Sequence, residues 1–461
     1  MDFVHFGKPT IVLSTPKAAI DLLEKRGSIY SSRPRNVFAG EICYRNAKGS
    51  LQREGTKLKK FRTLMSATLG VGPSKEFRPL EETETKLMLR GLVLETEAEN
   101  YRHHIQRSVH SVAFCTTYGQ RIDQLTYDHI DFYTALEKFF VAFSITPRRS
   151  RMLLTYSSLV KELFPILLRL PRALQWFRKE ADVHGDREER FYRTVLDEAK
   201  AAHIEGNALS GSVHRALAKQ ERFGFTDLEV ALTSAAPYSA GVSTTLGSCD
   251  AFLLAILLFP ETMKKAQKEL DAVVGPGRMP DFQDLNSLPY IRAMVKETLR
   301  WHPFVPLGIP HCTTEDDVYE GMFIPAGSTV IANIYAITRN AELFPDPEEY
   351  RPERFLETTN PLLQNYTLTF GFGRRICPGQ YVASDQLFLL ISRLLWAFDV
   401  KPLKGDIKFE AQHGRFGPVT SLPYELVPRS DGVRSVILEQ AAIAENDVKA
   451  WQTFDFEAHK A

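Results

Sequence analysis

Cysteine is scarce in this chain: five in 461 residues, at Cys43, Cys115, Cys249, Cys312 and Cys377. The number is odd, the spacings are wide and no C-x-x-C pair occurs, which argues against a disulfide framework and against a structural zinc site. Such usage suits a reducing compartment, where a lone cysteine is either a small core residue or a working thiolate. Excess charge is also missing. Fifty-seven Lys and Arg face 56 Asp and Glu, a formal net charge of +1, so no bulk electrostatic case exists for nucleic acid. Long apolar runs are absent too: the longest, Ala251 to Phe259, is about half of what a bilayer needs. The opening residues Met1 to Gly7 carry neither a basic n-region nor a signal-peptide core. No repeat occurs at solenoid periods. As given, the chain is expected to be soluble or peripherally bound. With 44% hydrophobic and 25% charged residues, what remains is a folded protein with a large core.

Punctuation by Pro and Gly divides that core. Lys8 to Leu13 reads as a strand, and long helical stretches then dominate to about residue 303. Thr226-Asp-Leu-Glu229 is a capping box that predicts the start of a helix running to about Phe259. Pro237 falls inside it, where it deletes a backbone bond to Thr233 and predicts a kink. Pro260 suits the first position of the next helix, ending near Val274 and Gly275. From Leu288 to Trp301 the residues Ile291, Met294, Val295, Thr298 and Leu299 recur at helical spacing, and Pro303 stops the pattern. Short strands with turns at Gly321 and at Pro325 to Gly327 follow, between Pro306 and Asn333. An apolar helix is expected from Gln380, and the polar segment after Ser430 reads as a frayed appendix. The fold class is therefore mainly α with a small β portion. A single domain over 1–430 and a polar C-terminal extension over 431–461 are expected.

The segment Phe370 to Gly379 carries the most information. Its order Phe-x-x-Gly-x-Arg-x-Cys-x-Gly is met by Phe370, Gly373, Arg375, Cys377 and Gly379. Iron needs a thiolate shielded from oxidation, and backbone amides after the cysteine moderate its electron donation. Glycines in such a loop permit positive φ and close approach to a flat macrocycle. Any random cysteine in a glycine-rich loop would read as a buried core residue; the complete order reverses that reading.

On these residues the chain resembles the cytochrome P-450 family, in particular fungal members of the microsomal class. The resemblance runs from about Lys8 to Ser430. It implies a cytochrome P-450 fold with haem b held between two helices and Cys377 as the axial thiolate, the metal ligand. It also implies propionate contacts from Arg375, Arg62 and His311, although an ordinary surface histidine is the competing reading of His311. Leu58 stands where the family commonly has tryptophan, so one propionate contact is expected to be missing. Glu297, Arg300 and Arg354 are expected to form a buried ion network; taken alone, Glu and Arg three apart form only a surface pair. Within Ala240 to Thr245, Thr244 takes the position of the threonine that hydrogen-bonds the iron-bound oxygen. Ser243 departs from the family's usual Asp or Glu, and a hydroxyl relays protons without holding one.

The same resemblance places Ala236, Ser239, Ala240, Val305, Ile309 and the stretch 416–419 around a hydrophobic substrate. It implies a monooxygenase that takes electrons from NADPH through a cytochrome P-450 reductase and oxidises a small hydrophobic molecule, a secondary metabolite. The alternatives are a haem-thiolate isomerase, dehydratase or peroxide-using relative, for which Ser243 is the motive, and a haem-binding protein without turnover. Lys57, Lys59 and Lys60 are either a solvated face or part of the reductase docking surface. Leu163 to Phe177, with Trp176 between Arg169, Arg172 and apolar residues, is either a buried helix pair or a surface that dips into the bilayer. The family's N-terminal anchor is not seen, so either the chain is truncated or the protein relies on peripheral contact; association with the cytoplasmic face of the endoplasmic reticulum membrane is expected.

Overall fold

The computed structural model describes residues 2–5, 8–140, 165–205, 210–403 and 423–456. Helices of eight residues or more are labelled α1 (Thr56–Leu69), α2 (Arg78–Leu94), α3 (Tyr101–Tyr118), α4 (Tyr127–Phe140), α5 (Lys179–Glu205), α6 (Asp227–Ser234), α7 (Ala236–Leu258), α8 (Pro260–Val273), α9 (Pro289–Trp301), α10 (Gln380–Ala397) and α11 (Asp431–Val448). The strands are β1 (Asp2–His5), β2 (Lys8–Leu13), β3 (His311–Cys312), β4 (Asp317–Tyr319), β5 (Met322–Ile324), β6 (Thr329–Ala332), β7 (Phe398–Pro402) and β8 (Tyr424–Pro428).

The caps and breakers act where the sequence puts them. Thr226 Oγ1 accepts from the Glu229 amide at 3.2 Å while Glu229 Oε2 accepts from the Thr226 amide at 3.1 Å. Pro237 does more than kink the expected long helix. Its missing N–H and its ring divide the helix at Ala235, so α6 and α7 are separate elements. Pro260 opens α8, and Gly275, at φ 72°, follows its end. Helix α9 starts at Pro289 and ends before His302 and Pro303, as its periodicity predicts.

Helix α7 is apolar on all sides and therefore belongs in the interior. It crosses α3 on one flank and α10 on another. The stretch Asp227–Leu258 is long and apolar enough to cross a membrane, with mean hydropathy 1.6, but 72% of its 18-residue apolar window is buried inside the protein, the environment of a core helix. Leu253, Phe252 and Ile256 of α7 and Leu390, Ile391, Leu394 and Leu395 of α10 are all buried in the same cluster.

The larger sheet has the order β1-β2-β6-β3. Strands β2 and β6 pair in parallel, Thr10 with Thr329 through Leu13 with Ala332, across nearly the whole helical body. Strand β3 pairs antiparallel with β6, His311 opposite Val330, and a bridge from Cys312 to Ser32 sets His311 beside Tyr30. Turns at Gly321 (φ 80°) and Gly327 (φ 79°) flank β5, matching the turns expected there.

The segment after Ser430 is not frayed. Ser430 caps α11 through a bond from the Val433 amide at 3.1 Å, and Val433, Ile437, Ala441 and Ala444 are buried against α2. Burying Val433 and Ile437 contributes on the order of 1.5–3 kcal/mol each. The chain then returns to the core: the Arg121 amide donates to Gln452 O and the Phe454 amide to Arg121 O, both at 2.9 Å. Phe454 packs on Phe114, and the Phe456 ring stacks on His129 at 4.4 Å. The polar composition hid this because the apolar residues of α11 form only a narrow stripe.

Candidate haem site

The cysteine loop is a turn clamped at both ends. The Cys377 amide donates to Phe370 O at 2.8 Å, and a short helical turn, Gly373–Arg375, fills the span. Gly373 has φ 52°, and a Cβ there would lie 2.4 Å from Leu23 O, so only glycine lets the loop seat against the neighbouring segment. Helix α10 begins at Gln380, three residues beyond the sulfur, which places Cys377 at a helix N-terminus. Surrounding protein pushes the Cys377 thiol up, while the amides of Gly379 and Gln380 and the Arg62 charge act the other way. The other four cysteines are buried; Cys377 alone is half-exposed. Burial pushes the thiols of Cys43, Cys115 and Cys249 up, away from the thiolate form.

Beside this sulfur lies a cluster of cations. Arg62, on α1, donates to Ile376 O at 2.7 Å. Arg375 donates to Ser31 O at 2.6 Å and Gln52 O at 2.7 Å, and burial together with Arg62 brings its guanidinium down to about 10. Arg33 joins them, a residue that sequence reasoning missed. It donates to Ile309 O at 2.7 Å and Pro310 O at 2.8 Å, is only 6% exposed, and its Nε has no hydrogen-bond partner among the described residues. Burial, then Arg375 and Arg62, holds the Arg33 guanidinium well below its ordinary range. No local signature separates Arg33 from surface arginines such as Arg35, because its partners come from more than 270 positions away. His311 is buried, with Nδ1 against Tyr30 O at 2.8 Å, so Nδ1 carries the proton. Burial and Arg33 bring His311 down to about 3. Buried cations without carboxylate partners are costly. Two carboxylates delivered next to Cys377 would neutralise them, and this is the donor set that a haem with its propionates fits. Leu58 is buried in the core and offers no donor.

On the other side, α7 leaves one stripe open. Ala236, Ser239, Gly241, Ser243 and Thr244 are half-buried and Ala240 is exposed, although the helix around them is enclosed. Thr244 Oγ1 donates to Ala240 O at 2.8 Å. Ser243 Oγ lies 3.3 Å from the hydroxyl of the buried Tyr133 on α4, a neighbour the sequence did not indicate. Val305 and Ile309 are half-buried on the segment after α9. Residues 416–419 lie outside the described residues.

Glu297, Arg300 and Arg354 meet in the core. Arg300 grips both oxygens of Glu297, Nε at 2.7 Å and Nη2 at 2.8 Å, and Arg354 Nε reaches Oε1 at 3.0 Å. Carbonyls of Pro347, Glu349 and Pro345 take the remaining guanidinium protons. Of the basic stretch on α1, Lys57 pairs with Glu229 at 2.8 Å and Lys60 donates to Phe223 O, so neither is a freely solvated side chain.

The cytochrome P450 family model matches residues 3–424. Cytochrome P450 monooxygenase 58 of Postia placenta is 34% identical over 425 residues, covering 87% of this chain and 75% of that protein. A cytochrome P450 monooxygenase of Armillaria gallica is 32% identical, covering 95% of this chain and 86% of its own length. Among solved structures, a zebra fish cytochrome P450 with progesterone superposes with a TM-score of 0.75 at 22% identity, over 93% of this chain and 96% of that one, a likeness of fold. The fold and the thiolate loop thus define a haem-thiolate protein. The chain belongs to the cytochrome P450 family, whose members carry a haem ligated by a cysteine thiolate, and its curated relatives are monooxygenases.

Proposed function

We propose that the protein inserts one oxygen atom of O2 into a hydrophobic secondary metabolite, with electrons from NADPH delivered by a cytochrome P450 reductase. The observation that carries this reading is the half-exposed Cys377 at the start of α10, flanked by the buried Arg33 and the half-buried Arg62 and Arg375. Bound haem supplies the redox chemistry that activates dioxygen, and a thiolate ligand favours O–O cleavage. Cys377 is the ligand; the amides of Gly379 and Gln380 temper its electron donation. Arg33, Arg62, Arg375 and His311 hold the propionates. His311 keeps its Nδ1 proton on Tyr30 O and would donate from Nε2 only as the imidazolium, the form that a neighbouring carboxylate would favour.

Thr244 is the residue assigned to proton delivery on the open face of α7. Its own proton goes to Ala240 O, which leaves the oxygen lone pairs to accept from water or substrate-side donors. Ser243 passes a proton through its hydroxyl and the Tyr133 hydroxyl, without storing charge as a carboxylate would. Glu297, Arg300 and Arg354 are structural: they lock α9 to the segment before the cysteine loop. Ala236, Ser239, Ala240, Val305 and Ile309 line the substrate side with small and apolar surface, which supports a lipophilic substrate.

Lys59 on α1 and Arg374 in the cysteine loop are exposed next to this site and suit an acidic reductase domain. Membrane contact at the cytoplasmic face of the endoplasmic reticulum is assigned to residues 166–176. These form short helical turns rather than a buried helix pair, with Ile166, Leu174 and Trp176 exposed by 65%, 59% and 71%. Leu168 and Phe177 turn inward instead. The test is reconstitution with a reductase and NADPH. A carbon monoxide difference spectrum of thiolate-ligated haem, with NADPH consumption matched by an oxygenated product, is expected; substrate conversion that needs no NADPH overturns the reading in favour of an isomerase or dehydratase.

A further inference from the structure

A second cluster of ligating side chains lies away from the haem site, between the helical segment Val37–Cys43 and α5. On α5, His184 and Glu188 are one turn apart and so share a face. Between them is Gly185, where a Cβ would lie 2.5 Å from Cys43 O and 3.2 Å from Cys43 Cα. The absent side chain lets the backbone of Cys43 press directly on the helix and delivers its sulfur to the two ligating residues. One sulfur, one imidazole nitrogen and one carboxylate oxygen then lie within 4.8 Å of one another.

We propose that Cys43, His184 and Glu188 bind one zinc ion, which pins the segment Val37–Cys43 to α5. Tetrahedral zinc with these donors needs ligand atoms about 3.3–3.6 Å apart, a closure that small side-chain rotations supply. Cys43 is 4% exposed and Glu188 1%. Glu188 Oε1 is held by Lys48 at 3.0 Å, whose ammonium also sits 4.2 Å from the centre of the Tyr44 ring. Oε2 is buried and faces His184 Nε2 at 3.5 Å, with no closer hydrogen-bond partner among the described residues. Lys48 thus orients the carboxylate from behind while its second oxygen points at the imidazole. The mixed sulfur, nitrogen and oxygen set favours zinc over magnesium or calcium, and thiolate plus carboxylate neutralise a divalent ion. The Cys43 thiol, pushed up by burial and by Glu188, loses its proton to solvent as the Zn–S bond forms. No spacing in the chain announces this site, because Cys43 is remote in sequence from His184.

The experiment uses the haem-loaded protein, cleared of metal and titrated with Zn2+ against a chromogenic chelator, with the zinc shell read by X-ray absorption. One zinc per chain and one sulfur in its shell are expected. Cys43→Ala and Glu188→Gln should each weaken binding by about 100-fold or more, beyond the loss usual for an orienting partner alone. His184→Ala, at a partly exposed position, keeps the test decisive if the buried variants fold poorly; its haem content and carbon monoxide spectrum should match those of the parent. Binding well below one zinc per chain, a shell without sulfur, or unchanged affinity in folded His184→Ala overturns the proposal and leaves a Lys48–Glu188–His184 ion cluster.

Discussion

Glu297 and Arg300 are joined by two parallel hydrogen bonds, 2.7 and 2.8 Å, between side chains that are both 0% exposed. Removing one partner of such a pair strands the other charge, at a cost of about 3–5 kcal/mol. Glu297→Ala and Arg300→Ala are therefore expected to yield little soluble, haem-loaded protein. Arg300→Lys should rescue poorly, since an ammonium cannot match the fork. Haem content per purified chain is the measurement, and normal loading in either alanine variant would show the pair to be dispensable.

Cys377→Ala should abolish the red-shifted Soret band of the reduced carbon monoxide complex. Alanine at Cys43, Cys115, Cys249 or Cys312, all buried, should leave that band in place. A band that survives Cys377→Ala would move the ligand elsewhere.

Thr244→Ala should retain haem yet divert reducing equivalents to peroxide, lowering product formed per NADPH by roughly tenfold or more. Ser243→Asp should leave that ratio equal or better, since it restores a group that holds a proton. An unchanged ratio in Thr244→Ala rules out the role.

Glu81, on α2, is fully buried, and neither of its oxygens has a hydrogen-bond partner among the described residues. Burial first, then the Asp385 carboxylate, raises it well above the ordinary carboxyl range. The folded state therefore holds this proton more tightly than the unfolded chain. Stability from this group is present at low pH and is lost as pH rises from the ordinary carboxyl range through the raised value. Glu81→Gln, which cannot ionise, should match the parent near pH 4 and exceed it at pH 8 by roughly 1–3 kcal/mol, the usual cost of an unsatisfied buried group. Denaturation midpoints at both pH values check this; a constant difference would refute it.

Ile166, Leu174 and Trp176 changed to polar residues should release the protein from anionic liposomes without loss of haem. Leu168, packed against the Val37–Cys43 cluster, is the inward control whose polar replacement should cost stability instead. Flotation decides it: retention by the triple variant would place membrane contact on another surface.

What the sequence determined by itself was local. The order of residues around Cys377, the capping box at Thr226, the stops at Pro260 and Pro303 and the turns at Gly321 and Gly327 act over a few residues, and each appears where its chemistry demands. Pro237 also acted locally, though by splitting a helix rather than bending it. Only the tertiary structure decided which distant groups share a buried volume. Arg33 reaches Ile309, Tyr133 meets Ser243, and Gly185 admits Cys43, each across more than 100 positions. The polar tail after Ser430 became core for the same reason: a thin apolar stripe is stable only when another surface, here α2, is present to cover it.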